Sequence, residues 1–146
     1  MDIPSRQEQG WLTAFGVAAI YIAWSPASTR CAIGATQDLA KALATQRGML
    51  GRDTELHRVW WIPSLEAALE LAGTAGGLAP DTNTAVEVVE HRIREVARRC
   101  RIPLAEHGPT LERARTALTR FEHRLKLAQQ RGVLQEFNAR GSVGTP

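Results

Sequence analysis

Two short apolar, β-prone runs joined by a tight turn set the strongest limit on what this chain can fold into. Val17–Trp24 and Arg30–Ala35 flank Ser25-Pro26-Ala27-Ser28, and extended runs on either side of a Pro/Ser turn form a β-hairpin. Thr36 follows at once, ahead of Gln37–Arg47, where Leu39, Ala42, Leu43 and Gln46 recur at helical spacing. Thr36 is the expected N-cap of that helix and Gly48 its expected stop. A hairpin that runs straight into a helix points to an α+β fold.

The elements downstream extend this pattern. The turn-rich Gly51-Arg52-Asp53-Thr54 leads into Glu55–Ile62, whose Val59-Trp60-Trp61-Ile62 predicts a third strand. Trp60 and Trp61 then point to opposite sheet faces. Ser64 is the expected N-cap of a helix over Leu65–Ala72, and the breaker cluster Gly73–Pro80 marks the natural boundary. Two amphipathic helices are expected beyond it. Asn83–Arg101 carries Val86, Val89, Ile93, Val96 and Cys100 on one face, and Thr110–Arg131 carries Leu111, Ala114, Leu118, Phe121, Leu125 and Ala128. Gly132 is placed to end the second helix. Residues 1–10 are polar and expected as a mobile lead, with Trp11–Trp24 as a strand buried on both faces. The resulting plan is a three-stranded, mostly antiparallel sheet with flanking helices over 11–80. A helical extension packs on it over 81–138, and 139–146 form a tail.

The chain has 146 residues, 44% of them hydrophobic and 23% charged, which suits one globular domain. Its longest apolar stretch, Ala14–Trp24, contains Gly16 and is too short to cross a bilayer. No membrane partner and a cytoplasmic location are expected. Cys31 and Cys100 are expected as buried free thiols, and no Cys/His pair has zinc spacing. The chain contains no glycine-rich phosphate loop, nucleophilic triad or dinucleotide fingerprint.

The net charge of +3 is unevenly spread. Before residue 84, six basic residues face eight acids, a balance of −2; from Thr84 onward, twelve basic residues face seven acids, a balance of +5. The polar faces of the two late helices carry Arg92, Arg94, Arg98 and Arg99 on one, and Arg113, Arg120, Arg124, Lys126 and Arg131 on the other. Glutamates alternate with them, many at i, i+4. Such a face is either a solvated lattice of ion pairs or, through its surplus arginines, a phosphate-tracking surface.

The hairpin, helix, strand and helix over about residues 17–72 resemble the GIY-YIG nuclease superfamily. Ala19-Ile20-Tyr21 stands where that family's Gly-Ile-Tyr strand begins, and Ala32-Ile33-Gly34 stands where its Tyr-Ile-Gly strand ends. Gly34 followed by Thr36 is similar to the family's Ile-Gly-x-Thr turn. The resemblance implies phosphodiester hydrolysis in active members, with a tyrosine orienting water, an arginine on the phosphate and a glutamate on one divalent metal. It places the tyrosine at Tyr21 and the glutamate at Glu70, with Glu66 one turn earlier as the competing position. Two parts are missing: Ala32 replaces the second tyrosine, and Ala42 stands at the helix arginine, with Lys41 beside it. Losing members of a transition-state constellation costs orders of magnitude in rate.

The leading expectation is therefore a non-catalytic nucleic-acid-binding protein on a degenerate nuclease-like core. Lys41, Arg47, Arg52, Arg92, Arg99, Arg120 and Arg124 are its candidate contacts, DNA or another nucleic acid is its partner, and it needs no cofactor. One alternative is an endonuclease rearranged around Tyr21, Lys41 or Arg47, and Glu70, which would require Mg or Mn at Glu70. Another is a homo-oligomerising interaction module that uses the apolar stripes of the late helices.

Overall fold

The computed structural model describes residues 1–77 and 86–143, with side chains through Gly76 and from Val86 to Arg131. Its elements run α1 (Arg6–Ala14), β1 (Ala18–Ser25), β2 (Arg30–Thr36), α2 (Leu39–Leu50) and β3 (Glu55–Ile62). These are followed by α3 (Leu65–Gly77), α4 (Val86–Arg99), β4 (Ala105–Glu106) and α5 (His107–Val143). The four strands form one antiparallel sheet in the order β2-β1-β3-β4. An α+β fold on an antiparallel sheet is what the sequence led us to expect. The fourth strand is additional: Glu106 and Ala105 pair with Trp60 and Trp61, a two-residue contact too short for any periodicity to register.

Strand alternation divides the core into two layers. Ala18, Ile20, Ile22, Trp60 and Ile62 face Ala68 and Leu71 of α3 and Val89, Ile93 and Val96 of α4. On the other face, Ala19, Tyr21, Ala23, Val59 and Trp61 meet Leu12 of α1, Leu39 and Leu43 of α2, and Ala114 of α5. Trp60 and Trp61 are both buried, one in each layer. The late helices therefore do not pair with each other; each lies on its own side of the sheet and helps close the core.

The N-terminal segment differs from the expected lead and long strand. Ser5 opens α1 with a reciprocal capping box: its hydroxyl accepts from Glu8 N–H and Glu8 accepts from Ser5 N–H. Gly16 (φ 78°) then turns the chain into β1. Arg115 of α5 holds this helix down, donating to Glu8 at 2.8 Å and Asp2 at 3.1 Å. His107 bonds Asp2 O at 2.6 Å through Nε2 and receives the Trp61 indole N–H at 3.0 Å through Nδ1. Burial opposes ionisation of Glu8, but its bonds to Ser5 and Arg115 outweigh this and hold the carboxyl below the usual range.

Helix ends shift for local reasons. Asp38, rather than Thr36, caps α2 by accepting from Lys41 N–H, while Thr36 Oγ accepts from Asp38 N–H. Gly48 lies inside α2, and Gly51 (φ 141°) ends it. The helix opened by Ser64 continues past Ala72 to Gly77; residues 78–85, including the expected boundary near 80 and the start of the helix expected at Asn83, lie outside the described residues. α5 passes through Gly132 to Val143, so neither that glycine nor the expected tail at 139 ends the helix. Side chains of Val133, Leu134 and Phe137 and residues 144–146 lie outside the described residues. Cys100 is exposed just past α4 and Cys31 half-buried, where two buried thiols were expected. Among the described residues no helix is long and apolar enough to cross a membrane.

Candidate functional site

Tyr21 and Gly34 are direct cross-strand partners in the hairpin. The Tyr21 ring lies over Gly34 so closely that a Cβ there would collide with both ring and hydroxyl. Tyr21 is 5% exposed, and its hydroxyl accepts from Gln46 Nε2 at 3.1 Å. The Gln46 carbonyl oxygen is buried without a partner. Beside this pair lies a shallow depression of ≈ 470 Å³ lined by Tyr21, Ala35–Asp38, Lys41, Ala42 and Thr45. Lys41 is exposed at its rim.

Glu70 is not brought to this place. It lies exposed on α3, whose Ala68 and Leu71 pack on the opposite sheet face from Tyr21. Glu66 is exposed on the same helix. The sheet itself thus separates the tyrosine from both candidate carboxylates. Among the described residues, no group of three or more His, Cys, Asp or Glu side chains is arranged to hold a metal ion.

The basic candidates also divide between faces. Arg47 lies on α2, its Nε donating to Thr54 O at 3.1 Å, and Arg52 is exposed in the following turn. Across the sheet, much of the α4 charge is neutralised. Arg94 reaches Glu90 at 3.3 Å and Glu106 at 3.8 Å, Arg58 reaches Glu106 at 3.1 Å and Glu90 at 3.6 Å, and His57 lies 3.5 Å from Glu90. Both guanidiniums sit over the Trp60 ring, Arg58 at 5.6 Å and Arg94 at 5.3 Å. Arg99 pairs with Glu95 at 3.5 Å, and Arg92 is half-buried. On α4, ion pairs hold Arg94 and Arg99, while Arg98 is exposed.

α5 is different. Leu111 and Ala114 are buried, whereas every residue from Thr119 to Arg131 is exposed. Arg120 and Arg124 lie in this projecting part, and Arg113 and Arg131 extend their line. The spacing of seven, four and seven residues keeps all four guanidiniums within about 40° of one line at 100° per residue, over about 27 Å of axis. All four are exposed, and no carboxylate among the described residues pairs with them. Glu122 points to the opposite side of the helix and Lys126 well away from the stripe. Arg113 and Arg131 were visible as part of an arginine-rich face; the spacing that unites them with Arg120 and Arg124 is the signal that selects all four.

No family model, curated protein or solved structure matches this chain. Any functional reading therefore rests on the residues and their placement.

Proposed function

We propose that this protein binds nucleic acid through the projecting part of α5 and does not cleave it. The observation that carries this reading is the line of four exposed arginines without carboxylate partners among the described residues. Guanidiniums presented in a row on a rigid helix neutralise successive phosphates and release their counterions. A helix about 10–12 Å across fits the major groove of a duplex, which is about 12 Å wide. The aromatic side chains of this segment, Phe121 and His123, lie about 80° to either side of the line at 100° per residue. Phe121 meets the Trp11 ring at 6.5 Å, so they do not form along the line the base-stacking platform typical of single-strand binders. A duplex is accordingly the favoured ligand.

The non-cleaving part rests on the missing second tyrosine and helix arginine and on the separation of Tyr21 from Glu70 across the sheet. In this reading the nuclease-like hairpin is scaffold, retained because Tyr21 and Gly34 pack together. Fluorescence anisotropy with a labelled duplex at low salt tests binding. Saturable binding that weakens steeply with salt is expected; no binding at low salt refutes the reading. Supercoiled plasmid incubated with the protein and Mg or Mn should stay intact, and nicking lost in Glu70→Ala would restore the endonuclease alternative.

A further inference from the structure

The outer edge of β2 is the sheet's unprotected side. β4 closes the opposite edge with only two residues, whereas β2 presents seven. Its backbone pairs with β1 on one side, and no described residue bonds its other side. It contains no proline, no bulge and no charge between Cys31 and Thr36. Natural edge strands normally carry such devices to discourage pairing with another strand. Cys31, Ile33 and Ala35 pack on the α3/α4 layer and remain half-exposed, so Arg30, Ala32, Gly34 and Thr36 face the α2 layer.

We propose that β2 pairs antiparallel with β2 of a second copy about a two-fold axis at Ile33, giving a continuous eight-stranded sheet. Three features select a second copy over a foreign strand. Full overlap of residues 30–36 sets Ile33 against its own counterpart, covering the half-exposed apolar side chains. On the α2 face it sets Ala32 opposite Gly34, small enough to meet without displacing either helix. It also sets Arg30 opposite Thr36 of the second copy, with Asp38 two residues further on the same side. Arg30 is exposed with no carboxylate partner among the described residues, and Asp38 is exposed at the α2 cap. A diagonal neighbour about 7–8 Å away is within reach of an arginine, and the two-fold axis makes that ion pair twice. This self-pairing is independent of the α5 arginines and stands or falls separately from nucleic-acid binding.

The test uses the full chain. Sedimentation equilibrium should show a concentration-dependent monomer–dimer equilibrium, and Arg30→Glu should weaken it about tenfold by setting two carboxylates together at each end. The register is read by Ala35→Cys in a Cys100→Ser background. In the proposed dimer Cys31 lies opposite position 35 of the second copy, at a Cα separation of about 4.5–5.5 Å that a disulfide accepts. Within one chain the same positions are about 13 Å apart along the strand and cannot bond. Mild oxidation should give a covalent dimer that Cys31→Ser abolishes. A chain that stays monomeric to about 200 µM overturns the proposal, as does a dimer that fails to cross-link, since it must pair elsewhere, for instance through exposed Phe121 and Leu125. If Ala35→Cys does not fold, amide exchange of wild-type residues 30–36 decides: protection that rises with protein concentration is expected, and unchanged protection overturns the pairing.

Discussion

The salt dependence of binding can be worked out from the arginine line. Each phosphate neutralised on duplex DNA contributes about −0.9 to the slope of log affinity against log salt. Four arginines in contact give a slope of about −3.6, so raising salt from about 50 to about 200 mM weakens binding about 150-fold. Arg120→Gln/Arg124→Gln removes two charges from the middle of the line. Glutamine is nearly as good a helix former as arginine, and both sites are exposed, so the fold is unaffected. The variant's slope should fall to about −1.8, and the same salt step should then cost only about 12-fold. Lys126→Gln, on a different side of α5, is the control and should leave the slope near the wild-type value. Anisotropy titrations at four or five salt concentrations, with circular dichroism to verify the helix, give both slopes. If the double variant keeps the wild-type slope, or if Lys126→Gln lowers it equally, the arginine line is not the contact surface.

Other consequences are equally open to measurement. Gly34→Ala sets a methyl group against the Tyr21 ring and should destabilise the protein by about 1–3 kcal/mol in urea unfolding; a Tyr21→Leu background should remove most of that cost, and an unchanged cost in that background refutes the packing argument. Asp53 clamps the hairpin turn by accepting from Ala27 N–H and the Ser25 hydroxyl, both at 2.7 Å, and the Ala27 bond, followed by that of Ser25, holds its carboxyl below the usual range. Because the folded value is lowered, its contribution is complete above the ordinary carboxylate pKa of about 3.9 and is lost as pH falls through the lower folded value. The stability gap between wild type and Asp53→Asn should therefore narrow on acidification through that range, and a gap constant with pH would count against the clamp. Ser5→Ala should cost about 1 kcal/mol and speed amide exchange in the first turn of α1; an unchanged exchange rate there would mean the capping box does not hold the helix.

The features legible in the sequence were those whose signals are local. Glu55–Ile62 was expected as a strand and is one to the residue, because β-branched and aromatic side chains concentrate there between polar turns. α1 was hidden because Trp11, Leu12 and Val17 could be joined to the following apolar run, although Ser5 and Glu8 already carried the capping-box spacing. The internal glycines misled for a different reason. Gly48, Gly73 and Gly132 all lie within helices, where a glycine costs only about 1 kcal/mol and does not by itself end the helix. A helix stop needs a left-handed conformation or a lost partner, and composition alone does not report either. Which sheet face each helix covers was illegible, because it is set by how the connections cross the sheet. That choice decides whether Tyr21 and Glu70 could ever share a site.

The hairpin words that suggested chemistry have a sufficient explanation in packing. Tyr21 needs a partner without a side chain directly opposite it, and Gly34 is that residue in the β1–β2 register. An aromatic ring laid across a glycine fills the space the missing side chain leaves and gives the tyrosine hydroxyl access to Gln46. Neither residue can change alone without loss, so the pair would persist under selection for stability, with no catalysis required. Ala32 and Ala42 are under no such constraint. Ala32 lies on the edge strand opposite Ala23, and Ala42 is half-buried at the wall of an open depression. A tyrosine at 32 or an arginine at 42 would be held by function rather than by the core. Of these positions, those that pack are present and those that would only act are not, so packing accounts for Tyr21 and Gly34 without a nuclease site.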